Sequence, residues 1–87
     1  MNNEIQNTVI TVIAAIAGIN PQQVELEYKI SGPPLKISNP DITYLAMALR
    51  AIVKSSNSGK TLKKRELTKS GITVKQIVEL METKLKP

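Results

Sequence analysis

Three stretches of this chain space their apolar residues as one face of an α-helix, and polar breaks separate them. Ile5, Val9, Val12, Ile13 and Ile16 advance in steps of four, three, one and three, the recurrence that brings side chains to one side of a helix. Ile42, Leu45, Leu49, Ile52 and Val53 repeat it, with Met47 and the alanines alongside, and so do Val74, Ile77, Val78, Met81 and Leu85. Ile10, Ala14 and Ala17 widen the first stripe, so the first helix is expected to be buried on most sides. Such stripes in 87 residues leave room for one hydrophobic core and one domain, residues 1–87. The fold class is therefore mainly α, a small helical bundle.

Starts and stops agree with the stripes. Gly18 suits the left-handed residue that often follows a helix end, and Asn20-Pro21 can open one short turn. The second helix is entered through Ser38-Asn39-Pro40-Asp41, with Asn39 as cap, Pro40 first inside and Asp41 against the positive end of the dipole. Ser55 to Gly59 is expected to end it in a polar loop. A weaker helix is expected around 61–68, anchored only by Leu62 and Leu67. After the break at Ser70-Gly71, Thr73 and Gln76 form a capping box for the last helix, and Ile72 with Ile77 form its hydrophobic staple.

One segment does not read as helix. From Val24 to Ile30 apolar and polar residues alternate, and Leu35 and Ile37 resume the alternation beyond Ser31-Gly32-Pro33-Pro34. Alternation is the strand period. An extended segment over 24–38, draped on the helices, accounts for it. So does the alternative, an α+β fold with one β-hairpin at 24–38.

Composition removes most catalytic classes. The chain has no cysteine and no histidine, hence no disulfide, no thiolate ligand and no imidazole base or ligand. Glu25 and Glu27 lie on the polar side of the alternating segment, without a third ligand or base nearby. Ser58-Gly59-Lys60-Thr61 has the ending of a phosphate-binding loop, but Lys54 stands where that loop needs its first glycine. No catalytic residue, cofactor or metal is expected, and the chain is not expected to be an enzyme. The longest apolar run, Val12 to Ala17, is far short of a membrane span. The N-terminus lacks the cationic region of a secretory signal. A cytoplasmic protein without membrane contact is the expectation.

Charge points to one segment. Residues 1–49 have a balance of −2, residues 50–70 of +6 and residues 71–87 of +1. The densest part is GKTLKKRELTK, where Lys60, Lys63, Lys64, Arg65 and Lys69 are the candidate partner-binding residues. Their cations suit an acidic protein, or nucleic acid, whose phosphates are recognised largely through charge. The only aromatics, Tyr28 and Tyr44, are both expected to be buried, which leaves base stacking without a platform. The apolar first helix also allows a homo-oligomeric structural subunit.

Taken as a whole, the chain resembles an acyl or peptidyl carrier protein. The resemblance rests on Gly18-Ile19-Asn20-Pro21 followed by Val24, on Met47-Ala48-Leu49 inside the second helix, and on Ile72-Thr73-Val74 opening the last. It implies a small helical bundle that presents itself to other proteins. Carriers esterify a phosphopantetheine arm to the serine of an Asp-Ser-Leu motif at the start of their second helix. Aligned on Met47-Ala48-Leu49, that serine position falls on Asn39 and the leucine position on Pro40. Ser38, one residue away and preceded by Ile37, is the one hydroxyl near enough to be a candidate attachment point. Carriers are also acidic along this helix, whereas here Asp41 is followed by Arg50 and Lys54. The resemblance therefore implies a carrier-like or scaffold module that binds another protein without the arm.

Overall fold

The computed structural model describes residues 3–56, 59–69 and 71–85. Among them the chain forms three α-helices, α1 (Asn3–Ala17), α2 (Asn39–Ser56) and α3 (Val74–Leu85), with 3₁₀ turns at Pro21–Gln23 and Lys64–Leu67. Each helix packs on both others, and the second 3₁₀ turn lies against α2. The bundle is small and mainly helical, with principal extents of 34 × 26 × 19 Å.

The three stripes meet as their spacing requires. Val9 and Ile13 of α1, Leu45, Leu49 and Val53 of α2, and Val74, Ile77 and Met81 of α3 have no exposed surface. Leu62 and Leu67 join them completely, which ties the 60–69 segment to the core from both of its ends. Ile5, Ile10, Val12 and Ile16 are only partly buried. Thr11 and Ala15 are exposed, so α1 keeps a solvent side and is less enclosed than its apolar width suggests. With no aromatic in the fully buried set, the interior is filled by aliphatic side chains and Met81.

Helix ends follow local chemistry. Gly18 adopts φ +75°, and its N–H donates to the Ala14 carbonyl at 2.8 Å. Asn20 caps the first 3₁₀ turn: its side chain accepts from Gln22 N–H at 2.9 Å, and Gln23 Oε1 accepts from Asn20 N–H at 3.1 Å. At α3, Thr73 Oγ1 accepts from Gln76 N–H at 3.2 Å while Gln76 Oε1 accepts from Thr73 N–H at 2.9 Å. The staple residues Ile72 and Ile77 are both buried.

The entrance to α2 corrects the expected cap by one residue. Ile42 N–H donates to the Ser38 carbonyl at 2.9 Å, the first helical bond, so Ser38 rather than Asn39 is the cap. The Ser38 hydroxyl donates to Asp41 Oδ2 at 3.4 Å, and the buried Ile37 and Ile42 occupy the two staple positions. α2 also runs through Ser55 and Ser56, so the polar loop begins later than expected; Asn57 and Ser58 lie outside the described residues, as does Ser70 of the next break. The weak helix expected at 61–68 is only the four-residue turn Lys64–Leu67.

Segment 24–38 forms no hairpin of paired strands, but it is not extended throughout: it turns at 25–28, 29–32 and 32–36, and folds back so that Ile37 N–H donates to the Ile30 carbonyl at 3.0 Å. Val24, Ile30, Leu35 and Ile37 point into the core, while Glu25, Glu27 and Lys29 are exposed, as the alternation requires. Beyond its own turns, it pairs with the start of α3. Val74 N–H donates to the Tyr28 carbonyl at 2.9 Å, Lys75 N–H to Leu26 at 2.8 Å, and Ile30 N–H to Ile72 at 3.0 Å. A single antiparallel bridge, Lys29 with Thr73, is all the sheet-like pairing among the described residues. The first N–H groups of a helix have no partner within the helix. Here those of α3 take the carbonyls that a hairpin would have used.

Candidate functional site

Glu25 and Glu27 are exposed, and no group of three potential metal ligands occurs among the described residues. No described helix is long and apolar enough to cross a membrane. Ser38 is exposed, but both its hydroxyl and its carbonyl serve the α2 entrance.

Folding divides the basic segment into two sets. Arg50 Nε donates to the Leu62 carbonyl at 2.8 Å, and Lys60 Nζ donates to the Thr83 carbonyl at 3.2 Å. Thr83 is in the last turn of α3, where carbonyls lack intrahelical donors, so both cations hold backbone together. Lys63, Arg65 and Lys69 are exposed, and Lys64 is half-exposed. These four remain at the surface, on and beside the 3₁₀ turn.

Glu66 is the one acidic residue in their midst. Partial burial pushes its carboxyl up, but three groups outweigh that effect: the Lys63 N–H, the Lys84 ammonium, and the charge of Lys69. They hold it below the ordinary carboxylate value. Lys84 of α3 lies 3.1 Å from Glu66 Oε2. The 3₁₀ turn is thus clamped to α3 by this pair, while Arg50 ties the chain just before the turn, at Leu62, to α2.

Tyr44 is not buried, contrary to the sequence expectation. It is 64% exposed, and Met47 is 57% exposed; among the described residues these are the large apolar side chains most open to solvent. Pro40, Tyr44, Met47 and Ala51, spaced by four, three and four, form the outward side of α2, and all are exposed. These four are uncharged, although the outer face of a surface helix ordinarily carries charged and polar residues; exposed Lys54, three residues after Ala51, ends the row with a cation. The signal was present in the spacing, because Tyr44 and Met47 lie opposite the Leu45–Leu49–Val53 stripe.

The basic turn lies beside this apolar strip. Met47 is three residues before Arg50, hence its neighbour on the helix surface, and Arg50 reaches Leu62. At the other end of α2, Asn39 and Ile42 share a cleft with Leu67, Thr68 and Lys69. Residues 62–69 therefore run alongside α2 in the opposite direction, on the side of the helix that carries Arg50, Asn39 and Ile42. No protein-family model, no curated protein and no solved structure matches this chain.

Proposed function

We propose that this chain is a non-enzymatic module that binds another protein, related in plan to carrier proteins but without a phosphopantetheine arm. The observation that carries the reading is the apolar strip on the outer face of α2, uncharged from Pro40 to Ala51. Exposed Tyr44 and Met47 sit one turn apart, and aromatic residues and methionine are enriched where proteins meet. Order of elements supports the carrier plan: a leading helix, a long linker, a second helix, a short turn and a last helix. Asn39 has no hydroxyl, and Ser38 is occupied as a cap, which supports the loss of the arm.

Nucleic-acid binding is the second reading. It takes support from residues 42–65, which contain six cations and no carboxylate. Arg50 and Lys60 are engaged with backbone carbonyls, which weakens it, and Tyr44 is the one strongly exposed aromatic.

A photo-crosslinking side chain placed at position 47 is expected to capture a protein in cells, and the same group at Thr11, on the exposed side of α1, is not. Equal capture at both positions, or none at 47, removes the reading. Intact mass after treatment with an active phosphopantetheinyl transferase is expected to be unchanged; an adduct on Ser38 would restore the arm and the carrier activity.

A further inference from the structure

We infer that the face shared by α2 and residues 60–69 receives an acidic amphipathic helical segment of the partner protein. This rests on the protein-binding reading and adds the partner's chemistry. The face has two parts with different demands. Pro40, Tyr44, Met47 and Ala51 form an uncharged strip that an apolar helix side can cover, in the manner of helices that lay apolar anchors into a groove. Lys54 continues the strip and is exposed; Lys63 and Arg65 are exposed and Lys64 half-exposed, in the segment that packs along the Arg50 side of the same helix.

One carboxylate, Glu66, lies within that segment, and it is paired with Lys84. From Ile42 to Arg65 the sequence contains neither Asp nor Glu. The two acids that bound the stretch are already engaged, Asp41 by the Ser38 hydroxyl and Glu66 by Lys84. A partner segment bearing Glu or Asp beside its apolar face therefore meets cations over most of its length, with the charge of Asp41 remaining at the head of α2. A basic segment with the same apolar face meets the reverse, and like-charge juxtaposition at an interface costs several kcal/mol. A nucleic acid answers only half of the surface, because Met47, Ala51 and Pro40 offer phosphates nothing.

The test uses a labelled model peptide with Leu at i, i+3, i+4 and i+7 and Glu at the remaining positions. A second peptide replaces every Glu with Lys, and a mixed-sequence single-stranded RNA is the third probe. The Glu peptide is expected to bind the full chain, and the Lys peptide is not. Amide shifts on binding are expected in residues 40–54 and 60–69. Lys63→Ser/Lys64→Ser/Arg65→Ser and Tyr44→Ser/Met47→Ser are each expected to weaken binding about tenfold or more, the first mainly at low salt where screening is weak. If either variant melts early, the salt dependence of the parent and its shift map decide instead.

Equal binding of the two peptides, shifts elsewhere, or tighter binding of the RNA overturns the inference. Capture at position 47 of a partner whose contact segment is basic also overturns it, while leaving the protein-binding reading intact. Absence of any capture at position 47 removes that reading itself.

Discussion

Leu49 sits at the middle of α2 with no exposed surface, facing a core that contains no aromatic ring to take up slack. Aliphatic interiors of this kind are packed at crystal-like density, so a truncated side chain leaves a void that neighbours fill only in part. Leu49→Ala is expected to destabilise the fold by about 2–5 kcal/mol, read as a lower denaturation midpoint at unchanged slope. Two residues further back, the same helix presents Met47 to water, and Met47→Ser is expected to leave the midpoint almost where it was, since exposed substitutions usually stay within about 0.5 kcal/mol. The pair of measurements separates the inner face of α2 from the outer. Sequence alone assigned Leu49 correctly and placed Tyr44 wrongly. Apolar character is a one-way guide to burial: cores are apolar, but apolar residues also lie on surfaces.

At the scale of elements, the helices were legible because each carries its own stripe and its own cap. Thr73 with Gln76, and Asn20 with its turn, are satisfied within four residues of chain, and such short-range chemistry can be read from spacing. The α2 entrance was displaced by one because serine and asparagine are nearly equal as caps. The choice falls to Asp41, which stands three residues after Ser38 and accepts its hydroxyl proton. Segment 24–38 was legible in its inward and outward faces but not in its partner, since α3 begins at Val74, far along the chain, and alternation does not reveal what a strand-like segment pairs with. The candidate face was half legible: the cations stood out as a run, whereas the strip beside them emerges only when the wheel of α2 is set against its neighbours.

One contact between elements has a defined pH signature. Glu66 is held below its ordinary pKa of 4.5 by Lys63 N–H, Lys84 and Lys69 against the opposing effect of burial. A carboxyl depressed in the folded state contributes stability above its unfolded value and loses it as pH falls through the folded one. Glu66→Gln is therefore expected to lower stability at neutral pH, with the gap from the parent closing as the pH falls below 4.5. Both partners are partly solvated, which limits the neutral-pH gap to about 1 kcal/mol or less. Thermal melts of the two proteins across acid pH check it, and a gap that widens on acidification would show that Glu66 is not held ionised by these neighbours.

For the whole molecule, the connection between the linker and α3 makes two distant stretches one kinetic unit. Amides in the first turn of a helix ordinarily exchange with solvent quickly, because nothing in the helix shields them. Val74 and Lys75 donate instead to the Tyr28 and Leu26 carbonyls, so their hydrogens are released only when residues 26–30 lift away from the bundle. Exchange at Val74 and Lys75 is expected to be slow and to match the rate at Ile30, which donates in the opposite direction to Ile72. Opening free energies vary across a fold in contiguous groups, and these three amides are expected to fall in one group despite being separated by more than forty positions. A single-site change in the linker, such as Ile30→Ala, is then expected to quicken deuterium uptake at the head of α3 while the amide of Ile13, in another helix, responds less.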